Sequence, residues 1–298
     1  MSAINELARI RDLLLLSGKL KNWLALGRSE RLRKVSLFFV GLLVTALFFF
    51  PFYWLIKIAL TSANLFSGAP SLLLNDPNIF NFVEVWYRAD YVQYLTNTLI
   101  LTVIAVFGNL IFNSFVAYAL TRDFHGRGLV EVMLVVGMLI PFQTGIIPAF
   151  IVTRELGLLN THLGIALPYS AAIINILILT TAFRSVPESL IESARMDGAS
   201  ELYIIFGVFW PLSKPALATN VVLAFVWMWN AYLWPLVVVS DPALRPLPLG
   251  LAEFQSSLSG SYALQYAFAI MVILPIVAVF LLMQRQFIRS VANSALKG

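Results

Sequence analysis

The chain has 298 residues, of which 60% are apolar and 12% charged, with a mean hydropathy of +0.85. That balance excludes an ordinary soluble domain, whose surface needs far more polar area, and makes lipid the solvent for much of the molecule. With no cysteine, neither a disulfide framework nor a thiolate metal site is available, and the two histidines, His125 and His162, are too far apart in sequence to suggest a shared centre.

Residues 1–35 carry Arg9, Arg11, Lys19, Lys21, Arg28, Arg31, Arg33 and Lys34, with Leu7, Ile10 and Leu14 on one helical face. They predict a basic amphipathic helix that either lies on anionic headgroups or serves as a plain linker. Crossing a ~30 Å hydrocarbon core takes about 20 mostly apolar residues. Runs that satisfy this lie at Ser36–Ile56, Asn97–Leu120, Gly128–Pro148 (reaching as far as Val152), Leu163–Phe183, Ala216–Ser240 and Gln265–Phe287. The first run is too long for a cleaved signal and lacks its small-residue cleavage site. Between the first two runs, Thr61 to Leu95 reads as an external loop whose turns fall at Gly68, Pro70, Asp76, Pro77 and Asn78. Pro141, Pro168, Pro235 and Pro275 fall inside spans, where neighbouring helices can satisfy the freed carbonyls.

Six spans place both termini on one side, and the basic residues choose that side. The N-terminal cluster, Arg122, Arg127, Arg184, Arg195, Lys214, Arg285, Arg289 and Lys297 all fall together, against Arg88, Arg154 and Arg245 opposite. Lys57 sits at the outer end of the first span, within snorkelling reach of the interface. This asymmetry predicts cytoplasmic termini, and topology accounts for the excess of five positive charges without nucleic acid.

The loop from Arg184 to Pro215 is the most informative segment. Ser185-Val-Pro-Glu188 predicts a capping box with proline in the first turn. A short helix through Leu190, Ile191, Ala194 and Arg195 then stops at Gly198 in a left-handed conformation. Ser200 caps a second helix, Glu201 to Phe209, ended by Pro211. A short helix, a glycine elbow and a second helix leading into a span suit a lever pushed by a partner, and equally an ordinary interfacial loop.

In span five, Trp227, Asn230 and Trp234 fall at i, i+3 and i+7, on one helical face. Counting from Ala216 at ~1.5 Å per residue puts Asn230 about 20 Å deep, near the midplane. Aromatic faces beside a polar amide at membrane depth make these three candidate pathway residues. The competing reading is packing against a partner. Asn109 and Asn113 in span two, with Asn175 and Asn220, read as interhelical hydrogen-bonding groups. Two rival functions lack their chemistry. Ion-coupled transport needs a carboxylate near the midplane, and the acidic residue nearest to a span centre, Glu131, lies near an end of the third. An intramembrane serine protease needs a base beside its nucleophile, and both histidines fall in loops.

Glu192-Ser-Ala-Arg-Met-Asp-Gly198-Ala-Ser200, followed by Val208-Phe-Trp-Pro211, resembles the EAA loop of binding-protein-dependent ABC importers. Ser193, Val208 and Trp210 depart from the family pattern of Glu-Ala-Ala, Gly and Ile-x-Leu-Pro, while the spacing is intact. Asn97-Thr-Leu, Ala117-Tyr-Ala-Leu-Thr-Arg122, Leu156-Gly-Leu-Leu-Asn160-Thr, Trp227-Met-Trp-Asn230-Ala-Tyr-Leu-Trp-Pro235-Leu and the final Ala295-Leu-Lys-Gly298 are similar to maltose-type sugar permeases. The resemblance covers Leu95 to the C-terminus.

It implies an all-α, polytopic membrane protein with the six-helix type I importer permease fold. The implied organisation is a basic N-terminal segment (1–35), a first span with its external loop (36–94), a transmembrane domain (95–288) holding the coupling loop (184–215), and a cytoplasmic tail (289–298). It further implies a carbohydrate permease of the cytoplasmic membrane that pairs with a homologous second permease, two copies of an ATPase subunit and an external solute-binding protein. Glu192, Ala194 and Gly198 would dock on the ATPase, with Arg195 and Asp197 as polar contacts and Pro211 closing the motif. Arg154, Glu155, Asn160 and His162 would lie in a loop facing the binding protein, or in a bare connector. The tail is either a second ATPase contact or a frayed terminus. The chain itself would bind no cofactor. Its one Gly-Lys pair, Gly18-Lys19, lacks the other residues of a P-loop, so ATP and Mg would belong to the separate subunits. A polyol, a glycosylated compatible solute and a glycerol phosphate remain alternatives to a sugar.

Overall fold

The computed structural model describes residues 27–61, 72–74, 77–257 and 261–295, with side chains as far as Leu282 except those of Arg28 and Arg31. The expected amphipathic face at Leu7, Ile10 and Leu14, the turns at Gly68, Pro70 and Asp76, and the last residues of the tail lie outside this set.

All regular elements among the described residues are helical. The described residues up to Lys57 and those from Ile58 onward form two compact units. The first contains most of the helix Arg28–Ala59, which starts eight residues before the apolar run. Lys57 Nζ lies 4.5 Å from the Trp54 ring centre.

In the second unit, the segment read as an external loop contains a helix, Phe80–Arg88, and span two begins at Tyr91. Its amphipathic face buries Val85, with Ala89, against Phe268 and Val272 of the sixth helix. Asn81 Nδ2 donates to Ala59 O at 2.7 Å and Thr61 O at 3.1 Å, satisfying carbonyls at the end of the first helix.

Span two, Tyr91–Leu120, is the continuous pillar of this unit. Span six, Tyr262–Ala295, is also continuous and accommodates Pro275. The three spans between them are broken. Span three stops at Met138 and turns by 102° into Phe142–Glu155. Pro141 is extended (φ −61°, ψ 137°), and a proline disfavours helical geometry in the residue before it. Span four divides into His162–Tyr169 and Ile173–Arg184, bent by 53°, with Pro168 in the last turn of the first half and Ala172 extended. Span five, Lys214–Trp229, gives way at Asn230–Tyr232 before Leu233–Val238. Pro235 removes one amide donor and meets the carbonyl of Ala231, so the helix restarts with proline in its first turn.

Polar side chains stitch the break in span four to span two. Asn113 and Asn175 both donate to Asn109 Oδ1 at 2.7 Å, and Asn113 Oδ1 accepts from Ala172 N at 3.4 Å. The interhelical amide bonding expected from the sequence is therefore present, and part of it serves unwound backbone, as buried polar groups in lipid require.

Candidate functional site

The Arg184–Pro215 loop begins differently from the expected capping box. Ser185 ends span four in helical geometry, so its hydroxyl donates back to Ala182 O at 2.7 Å. Pro187 takes the N-cap position, and Glu188 is drawn to Arg122 at the end of span two, Oε1 to Nη1 2.8 Å. The Arg122 guanidinium also covers the Tyr118 ring at 4.7 Å.

The short helix runs Glu188–Met196 and buries Ile191 against Phe183, Ile204 and Phe209. Glu192, Met196 and Asp197 face outward, Met196 being 89% exposed. Gly198 is left-handed, φ +80°. Its amide donates to Arg195 O and that of Ala199 to Ala194 O, both at 3.0 Å, so the helix ends in a Schellman motif. Ser200 Oγ then accepts from Tyr203 N at 3.2 Å. Arg195 closes across the elbow onto Glu201, Nε to Oε1 3.1 Å, and also reaches Tyr118 Oη at 3.2 Å, while Tyr118 donates to Glu201. Arg195, expected among the partner contacts, is thus engaged within the chain.

Pro211 does not end the second helix as expected. A π turn, Ile204–Phe209, widens the helix just ahead of it, where a proline ring meets a carbonyl in ordinary α geometry, and the chain stays helical through Leu212. The turn into span five is a 93° bend at Ser213. Trp210 Nε1 donates to Ser114 Oγ at 3.0 Å, joining this second helix to span two. A groove of about 900 Å³ follows the loop, lined by Leu190, Ala194, Asp197, Gly198 and Tyr203.

The break at Asn230 divides the other candidate set. Trp227 is 51% exposed and, with Asn230, lines a cavity of about 760 Å³. Trp234 belongs to the next helical segment, is fully buried and donates from Nε1 to Gly164 O at 3.1 Å. The shared face at i, i+3 and i+7 required a continuous helix, so Trp234 is a core residue here.

Of the loop residues, Arg154 and Glu155 are exposed and paired with each other at 2.8 Å. Asn160, at φ +54°, accepts from Ser240 N at 2.7 Å and Asp241 N at 3.0 Å, fastening this loop to the one after span five. His162 Nε2 lies 3.2 Å from Asn97 Oδ1. Sequence reasoning singled out neither Arg122 nor Tyr118 as a partner of this loop. Their signal was a cation and a phenol at the end of an apolar run, beside a loop rich in acidic residues.

Residues 115–293 match the family described as "binding-protein-dependent transport system inner membrane component". The chain is 31% identical to the melibiose/raffinose/stachyose import permease protein MelC of Bacillus subtilis over 91% of its own length and 99% of that protein. It is 28% identical to the arabinooligosaccharides transport system permease protein AraQ of the same organism, over 89% of this chain and 95% of that one. A crystal structure of a bacterial ABC transporter that imports the acidic polysaccharide alginate contains a chain similar to this one, with TM-score 0.77 and 28% identity, covering 88% of this chain and 99% of that chain.

These properties define a transport subunit rather than an enzyme. The chain belongs to the family of inner-membrane components of binding-protein-dependent transport systems.

Proposed function

We propose that this chain is one of two permeases in an ATP-driven importer of a carbohydrate, pairing with a homologous second permease, two ATPase subunits and an external solute-binding protein. The observation that carries the reading is the short helix Glu188–Met196, closed at Gly198 and fastened to span two, with Glu192 and Asp197 left facing outward. An element anchored on one face and free on the other is what a docking lever requires. ATP-driven closure of the ATPase pair moves the lever, and the helices attached to it switch the pathway from inward to outward opening. The basic-residue asymmetry supports cytoplasmic termini and a cytoplasmic lever. Ala194 lies in the lever groove beside Gly198, while Arg154 and Glu155 offer an exposed charged pair to the binding protein on the other side. Trp227 and Asn230 line the pathway.

The test is uptake into proteoliposomes of radiolabelled raffinose and maltotriose by the purified complex. The reading requires uptake that depends on ATP, the binding protein and the ATPase subunits. ATP-driven uptake by this chain alone would overturn it.

A further inference from the structure

The breaks in spans three, four and five are far apart in sequence, yet they open onto one space. The cavity of about 760 Å³ is lined by Phe142 from the first break, Tyr169 and Ala171 from the second, and Trp227 and Asn230 from the third. Irregular backbone at membrane depth persists only where protein buries it or where it borders a wet cavity, and discontinuous helices are where transporters place their binding sites. The volume suits a ligand of one to a few sugar rings.

The chemistry of the lining is selective. Phe142 and Tyr169 stand with ring centres 6.0 Å apart, and Trp227 adds a third aromatic surface from another span. Asn230 offers an amide to the lining; its Nδ2 donates to Val226 O at 2.8 Å, and its oxygen accepts from no donor among the described residues. No charged side chain lines the cavity among the described residues. An uronate or a sugar phosphate entering here would exchange water for aromatic rings with no cation to balance it, which is costly at membrane depth.

Resting on the carbohydrate reading above, we infer that this cavity is a saccharide-binding subsite of this subunit and that it admits neutral sugars and excludes acidic ones. Ring faces lie on Phe142, Tyr169 and Trp227, and hydroxyls bond Asn230.

The absence of native cysteine makes a direct test available. Val226→Cys and Ala171→Cys place a thiol in the lining, and Leu202→Cys on the coupling loop serves as control. In the complete complex in nanodiscs, without nucleotide and again with ATP trapped by a hydrolysis-deficient ATPase subunit, N-ethylmaleimide labelling of this chain is followed by mass spectrometry. Raffinose or maltotriose should slow labelling of the two cavity thiols about threefold or more in at least one state, as occupancy at twice Kd dictates. Trigalacturonate should not, and the control should be indifferent to all three. Equal protection by trigalacturonate overturns the inference, as does labelling that no sugar changes or thiols that never react. If a neutral trisaccharide is still taken up in those cases, the carbohydrate reading stands. Failure of the unmodified complex to take up any saccharide overturns both.

Discussion

Arg195 precedes Gly198 and Glu201 follows it, and the two side chains close over the elbow with Nε 3.1 Å from Oε1. The bend is therefore held by a backbone motif and by a charged strap, and Tyr118 of span two joins the same cluster. Arg195 is 39% and Glu201 58% exposed, so the strap adds at most about 1 kcal/mol to stability. Its value lies in fixing the angle between the short helix Glu188–Met196 and the helix that follows the elbow.

Glu201→Gln should accordingly leave thermal stability nearly unchanged while loosening that angle. The expected result is ATP hydrolysis near the parent rate with less sugar moved per ATP. Parallel uptake and ATPase assays on one preparation check it, and an unchanged ratio would show that the Schellman motif suffices.

Gly198 sits at φ +80°, with open space where a Cβ would go, so only backbone strain opposes substitution. Gly198→Val should cost about 1 kcal/mol or more and tilt the docking helix, while Gly198→Asn, which tolerates the left-handed region, should be milder. Uptake and binding-protein-stimulated ATPase should fall in that order, with the sugar affinity of the binding protein unaltered. Full activity of the valine variant would remove the lever from the mechanism.

Two tryptophans seven residues apart should fail in different ways. Trp234→Ala empties a fully buried position and should destabilise the subunit by about 3–5 kcal/mol, seen as lost expression. Trp227→Ala removes a half-exposed ring and should leave assembly intact while reducing uptake more than ATP hydrolysis. Size-exclusion profiles alongside uptake rates distinguish the two, and comparable loss of assembly in both would assign Trp227 to packing.

Gly108 brings span two against the break in span four: a Cβ there would lie 2.6 Å from Ser170 Cβ. Gly108→Ala should destabilise the subunit by about 1–3 kcal/mol. Adding Ser170→Gly should restore part of the loss, whereas Ser170→Ala, which keeps the clashing carbon, should not. Melting curves of the detergent-extracted complex decide it.

The all-helical class and the approximate spans were legible because lipid demands long apolar runs, and the elbow because Gly198 and Ser200 act through local rules. The breaks at Asn230 and Ser170 were not. A proline such as Pro168 announces a disturbance, but Pro275, equally internal, leaves its helix continuous. What separates them is tertiary: Asn109 and Asn113 are present to serve the unwound backbone of span four, and nothing local to Pro168 says so. The same holds for Glu188. Its local capping signal was overridden by Arg122, which lies 66 positions away. Trp234 leaves the face of Trp227 for a related reason, since periodicity carries across a gap only while the helix does.

The amides at Asn109, Asn113 and Asn175 have one more consequence. Asn175 Oδ1 and the nearby Asn220 Oδ1 are buried acceptors with no donor in this arrangement. Hydrogen bonds between like, uncharged groups can trade partners when one helix slides along another, and each trade replaces a bond of similar strength. An ion pair at the same depth would have to be torn open against a large desolvation cost. Spans two, four and five thus meet across a seam of exchangeable amide bonds, one that can shift register without opening a buried ion pair.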